Sequence, residues 1–136
     1  RVELAEKWMH QGKLAHLVDQ PARRLSGGEQ QRLSLVRALC CNPEILFLDE
    51  PCAHLDVNAA QDVEALIKSA IEAGIKVVMI THDRAQARRF GGEILLMEGG
   101  QVKAQEGAAL FFGPSQNPWT QAFLQGYEIS DAEAET

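Results

Sequence analysis

The chain has 136 residues, a formal net charge of -6, 46% hydrophobic residues and 24% charged residues. That length suits one domain with one core. No apolar run reaches the length a membrane-spanning helix needs, and Arg1-Val2-Glu3-Leu4 carries no signal-peptide pattern. The acidic balance argues against an electrostatic grip on nucleic acid, and the local basic group Arg23, Arg24, Arg32 and Arg37 reads as a solvated helix face.

In chain order, residues 3–17 read as a helix with Leu4, Trp8, Leu14 and Leu17 broadly on one side and an interruption at Gly12. Pro21 closes that region. Ser26 then stands at an N-cap position with Glu29 three residues on, a capping-box spacing. The helix that follows is expected to bury Leu33, Val36, Leu39 and Cys40 and to stop before Asn42-Pro43. Ile45 to Leu48 is a continuous apolar run ending in Asp49-Glu50, the pattern of a strand buried on both faces of a parallel sheet. A helix over 58–73 should bury Val63, Leu66, Ile67, Ala70 and Ile71, with Gly74 just past its end.

Val77 to Ile80 reads as a second buried strand, 83–90 as a short helix, and 94–97 as a third strand. Gly99-Gly100 turns that strand into a hairpin with 101–104. Alternating strands and helices predict parallel crossovers. Beyond Glu106 the chain is helical and aromatic, and the small, acidic residues 130–136 are expected to be a disordered tail. Cys40, Cys41 and Cys52 form no CxxC and lack metal-ligand spacing with a histidine, so they read as small hydrophobes in a reducing compartment.

Three places carry chemistry. Ser26-Gly27-Gly28 opens a helix without Cβ obstruction, so backbone amides and the positive end of the helix dipole can meet an anion. Asp49 and Glu50 end a buried parallel strand, the edge at which α/β folds bind ligands, and successive strand residues point to opposite faces. His82 follows Thr81 at the end of another apolar strand. A glycine-lysine pair does occur at Gly12-Lys13, but a phosphate loop needs a glycine at the position of Lys7 and Ser or Thr at that of Leu14.

Leu25-Ser26-Gly27-Gly28-Glu29-Gln30-Gln31-Arg32, then Ile45 to Glu50, then His82, in this order, resemble the ATP-binding cassette ATPases. The resemblance runs from about Leu25 to His82 and more weakly to Leu124. It implies an α/β, incomplete P-loop NTPase core with parallel strands and flanking helices, plus the end of the helical subdomain. Residues 1–42 would be the helical subdomain and signature helix, 43–106 the catalytic core, and 107–129 the C-terminal helices. ATP and Mg²⁺ are the implied ligands. Ser26, Gly27, Gly28 and Glu29 would close over the γ-phosphate of a partner subunit in a head-to-tail dimer, and Asp56 would belong to the dimer-interface loop. Asp49 would hold Mg²⁺ through water, Glu50 would be the general base, and His82 the switch histidine that contacts the γ-phosphate.

Cys52-Ala53-His54 departs from the small Ser, Thr, Ala and Gly residues usual before Leu-Asp in that family. The phosphate loop and the glutamine loop are not in this sequence. The simplest expectation is therefore the C-terminal portion of a longer ATPase, inactive alone because Asp49 and Glu50 would repel a nucleotide not held by that loop. The complete protein would drive import of a small polar or anionic solute. It would work with transmembrane permease subunits and an extracytoplasmic solute-binding protein at the cytoplasmic face of the membrane, and without nucleic acid. Two alternatives stand beside this: a non-transport cassette ATPase of DNA repair or translation, and a non-enzymatic half-domain supplying its signature in trans.

Overall fold

The computed structural model describes residues 1–136 and divides them into two compact units, Arg1–Thr81 and His82–Thr136.

The first unit opens with helix α1 (Val2–Gln11), ended by Gly12, followed by 3-10 turns at Ala15–Leu17 and Ala22–Arg24. The interruption expected at Gly12 is thus a true helix end. Helix α2 (Gly27–Leu39) begins at a complete capping box: the Ser26 hydroxyl accepts from the Glu29 amide, and the Glu29 carboxylate accepts from the Ser26 amide. Strand β1 (Ile45–Asp49) pairs in parallel with β2 (Lys76–Ile80), and helix α3 (Val57–Glu72) connects them. Asp56 is the N-cap of α3, its carboxylate accepting from the Ala59 amide at 2.8 Å. Gly74, just past the C-cap, adopts φ +93°, which favours glycine.

Helix α3 packs on β2 and on α2, and α1 packs on α2. Their shared core holds Trp8, Leu14, Leu35, Val36, Leu39, Leu46, Val63, Leu66, Ile67 and Ala70. Three sequence expectations change here. Ile71 is 43% exposed, because the helix turns it past the edge of the stripe. In α2 the buried set is Gly28, Arg32, Leu35, Val36 and Leu39, so Leu33 and Cys40 are only half-buried. The parallel strands are not buried on both faces. In the register Ile45↔Lys76, Phe47↔Val78 and Asp49↔Ile80, partners in a parallel pair share a face, and this face is bare. Phe47 is 74% exposed and Ile80 59%, while Leu46 on the other face is covered. Burying a side chain such as phenylalanine is worth about 1.5–3 kcal/mol, so the bare face leaves a large apolar contribution unrealised.

The second unit begins with helix α4 (Arg84–Phe90), capped by Asp83. Strands β3 (Glu93–Glu98) and β4 (Gln101–Gly107) form an antiparallel hairpin. Gly99 and Gly100 have φ of +58° and +76°, the pair of positive values that a tight two-residue hairpin turn needs. The hairpin expected from Gly99-Gly100 is thus present, with β3 paired to β4. Helices α5 (Ala108–Phe111) and α6 (Pro118–Gln125) pack on β4, with Phe111 buried against the rings of Phe112 and Phe123. Glu106 accepts hydrogen bonds from Ser115 (2.7 Å) and Thr120 (3.1 Å), which ties α6 to the end of β4.

Residues 131–134, read from composition as part of a disordered tail, form a one-turn helix α7 (Asp131–Ala134) with its own capping box between Ser130 and Glu133. Lys103 on β4 pairs with Asp131 at 2.7 Å. The Ser-x-x-Glu spacing was legible, and local capping outweighs the polar composition.

Candidate functional site

The N-terminus of α2 is an anion site in its chemistry. The first-turn amides of Gly27 and Gly28 have no acceptor within the helix. The Glu29 amide is taken by Ser26 Oγ at 3.2 Å, and the Gln30 amide by the Ser26 carbonyl at 2.8 Å. The Ser26 hydroxyl accepts in the capping box and keeps its own proton to donate. A Cβ built on Gly27 finds only Leu55 Cδ2, at 3.8 Å, so the amide of this exposed residue is approachable.

Glu29 does not present a free carboxylate. It accepts from the Ser26 amide at 2.9 Å, and that bond is the main influence holding its carboxyl below the usual glutamate value. Its small burial opposes the shift, while the Ser26 hydroxyl and the charges of Arg32 and His16 reinforce it. That bond ties the carboxylate to the start of the helix and stiffens the loop.

Gly28 serves packing. Its missing Cβ would stand 2.8 Å from Ala59 Cβ, so the first turn of α2 can lie against the first turn of α3 only as glycine. The structure thus brings Ser26, Gly27 and Gly28 beside the Leu55–Ala59 segment, where Asp56 caps α3.

Asp49 is exposed at the C-terminal end of β1, on the bare face of the sheet. Glu50 follows with φ +46°, a left-handed conformation that costs a non-glycine residue roughly 1–2 kcal/mol. Its amide donates to the Ile80 carbonyl at 2.8 Å, and its carbonyl accepts from the Ala53 amide at 3.1 Å. These bonds fix the turn against the end of β2, and Glu50 Oε1 is shielded from solvent. A left-handed glutamate held at a strand end is the kind of outlier that marks a working position.

The loop that follows is pinned by Leu55 N to Cys52 O at 3.3 Å and by Cys52 Sγ to Ala60 O at 3.7 Å. His54 is exposed at φ +63°. All three cysteines are free thiols. His82, exposed, is the first residue of the second unit and follows β2 by two positions.

Asp49 alone suits a hydrated Mg²⁺, an ion that keeps several of its waters. No group of three or more His, Cys, Asp or Glu side chains stands ready to enclose a metal. The residues present thus fit one outer contact to the ion and the donor set of one phosphate face, and they do not include a phosphate cradle.

Sequence reasoning missed Arg32. Read as part of a solvated basic face, it is 7% exposed, and its Nε donates to the Gly12 carbonyl at 2.8 Å. The signal was present: Gly28, Arg32, Leu35, Val36 and Leu39 fall at i, i+4, i+7, i+8 and i+11, one helical stripe that contains the arginine.

A parallel strand ending in Asp-Glu, with a glycine-opened helix and a capped crossover helix beside each other, places the chain in the P-loop NTPase class. The chain belongs to the ATP-binding cassette family. Residues 1–53 match the family described as ABC transporter. The chain is 32% identical over 122 residues to the general L-amino acid transport ATP-binding protein AapP of Rhizobium johnstonii, covering 90% of this chain and 48% of that protein. It is 35% identical over 102 residues to the histidine/lysine/arginine/ornithine transport ATP-binding protein HisP of Escherichia coli, covering 75% and 40%. Among solved structures it superposes on a nucleotide-free ATP-binding cassette from an ABC transporter with a TM-score of 0.78 at 27% identity, covering 96% of this chain and 50% of that one. Dimeric cassette MJ0796 bound to ADP and Pi gives a TM-score of 0.66 at 33% identity, covering 78% and 46%. The chain spans about half the length of the relatives it matches.

Proposed function

We propose that this chain is the signature-to-switch portion of a cassette ATPase that powers import of a small polar solute. The observation that carries this reading is the start of α2, where the exposed Gly27 amide and a serine hydroxyl lie beside the Asp56-capped helix, with Gly28 packed on its first turn. The relatives are named for transport of amino acids, and one from Spiroplasma citri for spermidine/putrescine import, which favours a solute of amino-acid or polyamine type. A segment carrying the phosphate loop covers the bare face of Ile45, Phe47, Val78 and Ile80 and completes the nucleotide site.

In that assembly Ser26 Oγ and the Gly27 and Gly28 amides donate to the terminal phosphate of a nucleotide held by a second ATPase subunit. Asp49 would hold Mg²⁺ through water, and the ion would supply neutralisation of phosphate charge. Glu50, fixed by its bond to Ile80, accepts a proton from the attacking water. The family resemblance assigns His82 the role of switch histidine toward the γ-phosphate. Asp56 holds the interface loop by capping α3. Transmembrane permease subunits and an extracytoplasmic solute-binding protein complete the system at the cytoplasmic membrane face.

The test is complementation. The chain is mixed with a cassette subunit that has an intact phosphate loop and a broken signature, and ATP hydrolysis is followed. We expect stimulation of about tenfold or more, abolished by Ser26→Arg in this chain. Stimulation that survives Ser26→Arg would remove the role in trans.

A further inference from the structure

We propose that Arg32 is a positioning residue: together with Asp62, Lys13 and the Gly12 carbonyl, it locks the signature loop and the Asp56-capped helix into one rigid body. The role in ATP use rests on the proposed function above, while the lock itself does not.

Three helices meet at this point. Arg32 leaves α2 four residues after Gly28 and donates from Nε to the carbonyl of Gly12, the C-cap of α1, in a buried setting. A cation on the carbonyl end of a helix is the favourable arrangement for the helix dipole. Its Nη1 lies 3.8 Å from Asp62 Oδ2 on α3. Asp62 Oδ1 in turn receives Lys13 Nζ at 2.9 Å, and Lys13 adopts φ +57° immediately after the end of α1. One carboxylate on α3 therefore gathers two cations, one from α2 and one from the exit of α1.

The crossings around this tie are close. A Cβ on Gly12 would meet Val36 Cγ2 at 3.0 Å and Leu66 Cδ2 at 3.4 Å, and one on Gly28 would meet Ala59 Cβ at 2.8 Å. Small residues remove the slack at both ends of the contact, and the arginine supplies the only buried cation across it. Lysine cannot reproduce a planar guanidinium that reaches a carbonyl and a carboxylate together.

The consequence concerns the two first turns. Gly28 belongs to the first turn of α2 and Ala59 to that of α3, so any shift of Ser26–Gly28 carries the Asp56 cap with it. The donors offered to a partner's phosphate and the interface loop then arrive as one unit.

Hydrogen exchange on the 136-residue chain tests the lock. Arg32→Gln should speed amide exchange at residues 27–30 and 57–60 together by about fivefold or more, with β3 and β4 unchanged. Asp62→Asn, a partly exposed position that spares the fold, should speed the same two segments. Arg32→Lys should restore neither segment fully. In the complementation assay Arg32→Gln and Asp62→Asn should each raise the KM for ATP about fivefold while holding kcat within about twofold. Loss of folded protein would instead lower kcat and leave KM unmoved, and that result overturns the positioning role. Faster exchange in one segment only, or in neither, overturns the lock. If the wild-type chain stimulates no ATPase, the proposed function fails and exchange alone decides the lock.

Discussion

Ser26 and Ser130 begin helices with the same device, a serine hydroxyl and a glutamate three residues on that exchange hydrogen bonds with each other's amides. The first opens a helix of 13 residues, five of them buried, the second a helix of 4 residues with none buried. Around Ser26 the cap is backed by Arg32, Asp62 and the Gly28–Ala59 contact. Around Ser130 the tertiary support named here is a single ion pair, from Lys103 to an aspartate that is 78% exposed. A capping box thus starts a helix in either place, but only packing behind it turns a cap into a rigid presentation of amides.

The comparison can be broken most forcefully at its buried end. Arg32→Ala should cost about 2–4 kcal/mol in urea unfolding, because it leaves the buried Gly12 carbonyl without its donor and removes the ion pair to Asp62. Lys103→Ala should cost less than about 1 kcal/mol by the same measurement. A similar loss from both would show that burial does not separate the two regions.

Next comes the pair of signature glycines. Gly28→Ala should destabilise by about 1–3 kcal/mol through overlap with Ala59. Gly27→Ala, which meets only Leu55 at ordinary contact distance, should be neutral or stabilise by up to about 1 kcal/mol through helix propensity. Thermal melts of the two single variants decide this, and equal losses would sink the packing explanation.

The caps themselves should differ in reach. Ser26→Ala should cost about 1 kcal/mol, whereas Ser130→Ala should fray only residues 131–134 and leave the unfolding midpoint in place. Residue-resolved chemical shifts separate local fraying from a global loss.

Acid titration gives the smallest effect. The Glu29 and Glu133 carboxyls both lie below their ordinary value of 4.5, chiefly through the amides of Ser26 and Ser130. A lowered folded pKa means that the cap's contribution is fully present above the ordinary value and is lost as pH falls through the lowered one. Side-chain carbon shifts should therefore show both glutamates titrating below 4.5, with Glu29→Gln removing the acid sensitivity of the α2 start. Titration of either at or above that value would contradict the capping geometry.

Much of the site was legible because it is written in local chemistry. Ser26 with Glu29, Asp49-Glu50 at a strand end, Gly74 past a helix and Gly99-Gly100 in a hairpin each act over a few residues. Arg32 was not legible as a buried tie, since its charge suggests solvent and only the carbonyl and carboxylate of two distant segments make burial tolerable. The strand faces misled for a related reason: four consecutive apolar residues signal two covered faces, but whether anything lies over a face is not written in the strand itself.

The sequence by itself determined where helices are capped and where the hairpin turns, because capping bonds and backbone conformation are set by near neighbours. Only the tertiary structure decided that Gly28 packs against Ala59, that Arg32 is buried, and that Phe47 and Ile80 are bare. Those outcomes depend on which surfaces meet across long stretches of chain, a property that no local pattern carries.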